Sequence, residues 1–238
     1  MNPAITSGNI FHMRTVKFLI ALIVLMTVIS STSFSQTKRT NVWYFTNSGV
    51  DFNYGSPPEN LRAIYNTYQT LCSISDSNGN FLFASDGHTV YNKNLAVMEG
   101  GNMMSYGTSG YYQGPVVFPI PGNERFYYMF HYTGNRFFAG GIEKISANLV
   151  YTIIDMQANN GLGKVSDSEK VVQIQSDVDF AIYAVHHKNE QDVWVLNQGF
   201  ENNLIYAYLV TPYGINPPVI SSVGGVTTPY NKYIKDIT

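Results

Sequence analysis

Residues 115–132 read PVVFPIPGNERFYYMFHY. Pro115–Ile120 is a short run rich in β-branched and aromatic residues, Pro121-Gly122-Asn123-Glu124-Arg125 is dense in turn formers, and Phe126–Tyr132 is a second run. Two such runs around a Gly- and Pro-containing break predict a β-hairpin. The second run says more. Phe126-Tyr127-Tyr128-Met129-Phe130 is apolar at consecutive positions, although successive side chains of a strand point to opposite faces. A strand with one wet face alternates, so this one needs cover on both.

Two more hairpins have the same layout. Leu71–Ser75 and Phe81–Ser85 flank Asp76-Ser77-Asn78-Gly79-Asn80, and Phe180–His186 and Asp192–Asn197 flank His187-Lys188-Asn189-Glu190-Gln191. Aligning the second strands superposes Phe81, Phe126 and Val193, at spacings of 45 and 67 residues. Further candidate strands follow each hairpin: Thr89–Asn92 and Ala96–Met98, then Leu149–Asp155 and Val171–Gln175, then Leu204–Val210 and Val219–Val223. Gly134–Ala147 reads as an enlarged loop that makes the period irregular. Asn60–Thr70 has room for a turn or two of helix, and little else after residue 40 has helical periodicity.

A recurring four-stranded unit is the sequence signature of a propeller blade, and neighbouring blades cover both faces of the inner strands. The expected fold is therefore all-β, a β-propeller-like array of about three four-stranded blades. A solenoid or a thick sandwich also buries both faces. Closed propellers have about four to eight blades, so residues 36–238 read as a partial β-propeller domain that continues beyond the chain end. Asn41–Phe45, NVWYF, then serves as a leading strand that completes the last blade.

Arg14 and Lys17 precede a 12-residue apolar run, Phe18–Ile29, broken only by Thr27, and then Ser30–Ser35. A charged, an apolar and a small-residue region in that order make a secretory signal peptide, residues 13–35, with cleavage between Ser35 and Gln36. Met13 reads as the start and residues 1–12 as a misassigned extension. Twelve apolar residues are too few to span a bilayer, and no second long apolar stretch follows. The mature chain is expected to be secreted or at the outer cell surface, handled by export machinery and without a stable membrane span.

Without Arg14 and Lys17 the mature part has 12 basic against 16 acidic side chains, a formal charge of −4. Nucleic-acid binding needs clustered Lys and Arg against phosphate, so that class is excluded. With 18 Tyr and 14 Phe the chain has ample apolar surface for a core, which excludes disorder. Cys72, the single cysteine, rules out a disulfide within the chain and reads as a small buried hydrophobe in a strand.

No motif carries chemistry. Asp76–Asn80 lacks the bidentate Glu and flanking helices of a calcium loop and reads as a hairpin turn with Asn78-Gly79 supplying positive φ. Ser85–Thr89 is a compressed relative of the Asp-box turn, and Asp86-Gly87 reads as a type I′ turn. His186 and His187 are adjacent in a strand and point to opposite faces, so they do not chelate one ion. They and His131 read as structural. Gly161-Leu162-Gly163 precedes no helix, and no Gly-x-Ser-x-Gly elbow occurs. Catalytic residues, metal ligands and cofactors are accordingly none. For binding, the loops Gly101–Gly114 and Gly134–Ala147 stand out. Met104, Tyr106, Tyr111, Tyr112, Arg136, Phe137 and Phe138 supply the aromatic and guanidinium groups that binding sites enrich.

Several pieces stand in a telling order: Trp43-Tyr44-Phe45, Gly49-Val50-Asp51-Phe52-Asn53, Ser75–Phe83, Asp86–Lys93, Met98, Pro121-Gly122-Asn123 with Tyr127-Tyr128, and Asp155-Met156 with Gly161-Leu162-Gly163. The string resembles the N-terminal region of gliding-motility-associated surface proteins. Those proteins carry PKD-like modules and a type IX secretion (type B) sorting domain. The resemblance spans roughly the mature chain and implies a WD-like propeller at the front of a protein exported across the outer membrane, with no catalytic residues to carry over. Thr46-Asn47-Ser48 departs from a more glycine-rich turn, and no sorting domain lies within the 238 residues. The function expected from all this is a non-enzymatic module binding protein or glycan ligands as part of a larger exported surface protein. The alternative is a propeller-type polysaccharide hydrolase or lyase using channel carboxylates.

Overall fold

The computed structural model describes residues 37–45, 48–55, 59–62, 71–102, 114–139 and 142–226. The expected leader, residues 13–35, with its expected Ser35–Gln36 cleavage point, and residues 1–12 lie outside them. The described chain is all-β and antiparallel. Its strands are β1 (Val42–Tyr44), β2 (Ser48–Asp51), β3 (Glu59–Arg62), β4 (Cys72–Ser75), β5 (Phe81–Ser85), β6 (Val90–Asn92), β7 (Val116–Pro119) and β8 (Phe126–Ala139). After them come β9 (Ile142–Asp155), the short turn α1 (Ala158–Gly161), β10 (Lys164–Val165), β11 (Val172–His186), β12 (Val193–Gly199), β13 (Leu204–Thr211), β14 (Gly214–Ile215) and β15 (Val219–Ser222). Two sheets have three strands each, β1-β2-β3 and β4-β5-β6. The third runs β14-β13-β12-β11-β9-β8-β7, with β10 on β9 and β15 on β13. Among the described residues no helix is long and apolar enough to cross a membrane.

The three expected hairpins are present as β4–β5, β7–β8 and β11–β12. The cover inferred for Phe126–Phe130 is also present. Tyr127 and Met129 enter one core with Phe83, Met98 and Ile154. Tyr128 and Phe130 enter another with Leu149, Ile182 and Val195. A third, smaller core joins Val42 and Tyr44 to Ala84. Two of these cores lie between sheets, whereas the Tyr128–Phe130 core is enclosed by strands of the large sheet itself, and Tyr127–Phe130 of β8 are buried on both faces.

The division into separate four-stranded blades is not what forms. In the first unit Ala96–Met98 contributes only a bridge, Tyr91↔Val97. Asn92 turns the chain first, its Oδ1 accepting from the amides of Asn94 (2.9 Å) and Ala96 (3.3 Å), and Leu95 sits at φ 62°. The second and third units fuse. Expected strands Val171–Gln175 and Phe180–His186 are two halves of β11, which pairs with β9 through Val172–Val178 and with β12 through Val178–His186. Register shifts around Gln175 and Val178 bend the strand, as bulges do. No ring closes among the described strands.

Three local expectations are corrected. NVWYF is not a lone leading strand: Trp43 pairs with Val50, and β3 extends the pair to a meander. Asn60 and Leu61 lie in β3 rather than a helix, because the open edge of β2 takes them as ladder partners; residues 63–70 lie outside the described set. Gly134–Ala147 is hairpin, not loop, with β8 and β9 paired residue for residue from Phe126↔Asp155 to Ala139↔Ile142. That register leaves only Gly140-Gly141 between the strands, and Gly-Gly is itself a two-residue hairpin signal.

The β1–β3 and β4–β6 sheets meet through side chains. The Ser73 hydroxyl donates to the Val42 carbonyl (2.8 Å) and accepts from the Tyr44 amide (3.2 Å). The 76–80 turn locks the seam. Asp76 accepts from the amides of Asn78 and Asn80 (both 2.9 Å) and from Asn80 Nδ2 (2.8 Å), so its carboxylate serves the hairpin. Gly79, at φ 96°, offers its carbonyl to Asn53 Nδ2 at 2.9 Å, and a Cβ there falls 2.1 Å from Asn53 Oδ1. Gly79→Ala combines left-handed strain with loss of the Asn53 bonds. It is expected to lower unfolding free energy by about 2 kcal/mol, read as a reduced urea midpoint with unchanged slope; an unchanged midpoint refutes it.

Elsewhere the turns differ in detail from expectation. Gly87 has φ 83° while Asp86 keeps a negative φ, so the turn is not type I′. Asp86 Oδ1 instead accepts from the His88 (2.9 Å) and Thr89 (2.7 Å) amides. Cys72 lies in β4 opposite Ser85, and burial pushes its thiol up to about 12, away from reactive thiolate. His187 Nδ1 accepts from the Asn189 amide at 3.2 Å, the structural bond expected of a loop-end histidine.

Candidate functional site

Alternation along β8 and β9 sets one side of a cleft. Tyr128 and Phe130 share a face, and the register Phe130↔Tyr151 places Tyr151 beside them. Tyr128 and Tyr151 meet edge to face, centroids 5.4 Å apart. The opposite side comes from β13 and the chain after it. Tyr208 stands on β13, Pro212-Tyr213 make the turn into β14, and Pro217-Pro218 follow with φ fixed by their rings. The large sheet coils enough to bring its two ends together: a Cβ on Gly122, in the β7–β8 turn, falls 3.3 Å from Gln191 Nε2 and 3.9 Å from Pro212.

Between these walls is a cleft of about 660 Å³, within the range of small-ligand sites, with Glu169 at its border. Tyr128 (6% exposed) and Tyr208 (3%) form the buried part, and Tyr213 (99%) stands at the rim. The Tyr151 hydroxyl donates to Glu169 Oε1 over 3.5 Å, and that of Tyr208 to Gln175 Oε1 at 3.2 Å. The Tyr128 hydroxyl has no hydrogen-bond partner among the described residues. Burial pushes Tyr128 and Tyr208 up to about 12, with Tyr151 and Glu169 adding to the rise at Tyr128 and Tyr206 to that at Tyr208. Burial and then Glu169 raise Tyr151 as well. These phenols stay protonated at any physiological pH. The lining holds one carboxylate, no Lys, no Arg and no His.

A second concavity of about 410 Å³ lies at the seam of the two small sheets, lined by Tyr44, Asp51, Asn53 and Lys93 among others. Its Asn53 is engaged by Asn41 and Gly79, so this space is part of the seam already described.

Of the residues singled out from the sequence, only Arg136, Phe137 and Phe138 fall among the described ones. Tyr106, Tyr111 and Tyr112, with Met104, lie outside the described residues. Arg136, Phe137 and Phe138 are on β8, paired with Ile145, Lys144 and Glu143, towards the far end of the hairpin from Tyr128. Sequence reasoning missed the cleft tyrosines because they come from three different strands and a turn. The one local signal was Pro212-Tyr213 with Pro217-Pro218, a stiff aromatic segment after a strand. Among the described residues, no three His, Cys, Asp or Glu side chains group as metal ligands.

Compared with known proteins, the chain matches no family model, no curated protein and no solved structure.

Proposed function

We propose that the protein is a non-enzymatic binding module, secreted or displayed at the cell surface, that holds a protein or glycan ligand in the tyrosine cleft. The observation that carries the reading is the cleft itself, a concave space with a mostly buried tyrosine whose hydroxyl has no partner among the described residues, stiff proline walls and an exposed aromatic at its rim. Small-ligand sites have this make-up, mostly apolar with a few polar groups that fix orientation. Export rests on the leader-like residues 13–35. The place of the module, as blades of a larger propeller in a gliding-motility-associated protein routed by type IX secretion, rests on the ordered sequence resemblance. The all-β antiparallel build and the cover on both faces of the Tyr127–Phe130 stretch support the propeller part.

The alternative reading, a polysaccharide hydrolase or lyase, calls in its hydrolase form for two carboxylates across the scissile bond, and the cleft lining contributes Glu169 alone. One experiment separates the two. The full chain and its Tyr213→Ala variant are passed over arrays of glycans and of surface-protein peptides, with release of reducing ends assayed in parallel. A retained ligand whose affinity falls about tenfold in Tyr213→Ala, the cost of one aromatic contact, supports the binding module. Retention indifferent to that substitution removes the cleft from the account. Turnover abolished by Glu169→Gln replaces the binding module with an enzyme.

A further inference from the structure

Taking the cleft as a binding site, as proposed above, we infer that what it takes is the side chain of a lysine or arginine presented by a protein partner. Three features converge on that chemistry. First, the charge in the lining has one sign: Glu169 is its sole ionised group. No Lys or Arg pairs with it among the described residues. The neighbouring cation, Lys170, is turned elsewhere, its ammonium donating to the carbonyls of Gly100 (2.8 Å) and Asn102 (2.9 Å). A carboxylate bordering an apolar space gains most from an incoming positive charge, since such pairs are less screened there than in open water.

Second, the carboxylate is surrounded by π-faces and phenol oxygens. Tyr151 touches Glu169 directly, and Tyr128 packs edge to face against Tyr151 with its own hydroxyl unpartnered. Protonated phenols accept hydrogen bonds from an N–H donor while their rings attract its charge. Third, the rest of the lining suits the stem rather than the head. Ile174, Ile215 and Pro217 present hydrocarbon along the cleft, and Lys and Arg lay their methylenes on apolar surface while the charged end seeks a polar partner. A sugar needs several side-chain donors and acceptors around its ring; beyond Glu169 and the phenols, the lining gives only Asn216. An anionic ligand meets a carboxylate and no cation.

The test uses the full chain and four probes without backbone charges: N-acetyl-arginine methylamide, N-acetyl-lysine methylamide, the uncharged arginine isostere N-acetyl-citrulline methylamide, and a neutral methyl glycoside. Binding is read by saturation-transfer NMR and by titration of tyrosine fluorescence. The two cationic probes are expected to bind in the millimolar range, and citrulline about tenfold more weakly, the fold-change of losing one charge-assisted contact. Glu169→Gln should bring the cationic probes down to the citrulline level without changing the melting temperature. Tyr213→Ala, at a fully exposed rim residue, weakens all probes and leaves folding intact. Equal binding of arginine and citrulline, or preference for the glycoside, overturns the cation inference and leaves the cleft as a binding site. Failure of every probe, together with array ligands that ignore Tyr213→Ala, overturns both.

Discussion

Replacing Phe130 by alanine is expected to destabilise the protein by about 3–5 kcal/mol. Phe130 is 0% exposed and sits at the centre of an aromatic set. It stacks on Phe118 with centroids 5.7 Å apart and planes 15° from parallel. Tyr128 and Tyr151 flank it at 5.6 Å and 6.2 Å. Removing the ring takes away its transfer free energy and leaves a void that rigid neighbours on two paired strands do not collapse to fill. It also loosens Tyr128 and Tyr151, which line the cleft. For a domain of this size each kcal/mol moves the melting temperature by about 2–4 °C, so a drop of about 10 °C is expected. Tyr213→Ala, on the same ligand cleft but fully exposed, should stay within about 0.5 kcal/mol of the parent. A melting temperature for Phe130→Ala within 3 °C of the parent, about 1 kcal/mol, contradicts the packing assigned to this core.

That core is the part of the fold most legible in the sequence, and its legibility has a clear limit. The consecutive apolar positions of Phe126–Phe130 announced a strand covered twice, and β8 is covered twice. Val193-Trp194-Val195-Leu196 makes the same announcement, yet β12 alternates buried and half-buried along its length. Val193 and Val195 enter the core, whereas Trp194 and Leu196 turn to a face shared with Tyr183 (60% exposed) and Val185 (52%). An apolar run records that a strand tolerates cover on both faces. Whether cover arrives depends on a sheet elsewhere in the chain, which no local window contains.

Blade boundaries were illegible for a related reason. Gln175 to Phe180 reads as a polar break between two strands. In the fold the break is absorbed as shifts of register within β11, because β9 and β12 pair with successive stretches of it. Turn-forming composition marks where a chain is free to leave a ladder, not where it does. The same holds for Gly134–Asn135, which β9 holds in ladder against Ser146 and Ala147. The cleft was least legible of all. Tyr128, Tyr151 and Tyr208 become neighbours through register and through the coiling of a whole sheet, and nothing in their flanking sequence separates them from the many other tyrosines.

His131 gives the protein a pH dependence that can be read in solution. It lies in β8 at 2% exposure, on the same face as Met129, with Nε2 3.1 Å from the Thr152 hydroxyl. Its Nδ1 makes no hydrogen bond of good geometry. Thr152 Oγ1 already accepts from the Val171 amide at 3.0 Å, so the ring is tied to β9 and β11 as a neutral group. Burial holds the imidazolium far out of reach, lowering the pKa from 6.5 to about 3 against a smaller pull from the Tyr132 backbone. Between those two values the unfolded chain binds a proton that the folded chain refuses. Stability from this group is therefore complete above pH 6.5 and declines as pH falls towards 3. The whole span amounts to a few kcal/mol, roughly half of it lost between pH 7 and 4.5. Two carboxylates also favour the fold in ionised form. Asp155 is held below 3.8 by Arg125; Asp76 is held below 3.8 by its turn amides and Asn80, which outweigh partial burial. Their contributions fade below about pH 4, so the interval from 7 to 4.5 isolates the histidine. His131→Leu should be less stable at pH 7 by about 1–2 kcal/mol, because the Thr152 hydroxyl loses its partner. It should also show a nearly flat dependence where the parent falls. Urea unfolding at four pH values gives both curves, and parallel slopes for parent and variant would place the titrating group elsewhere.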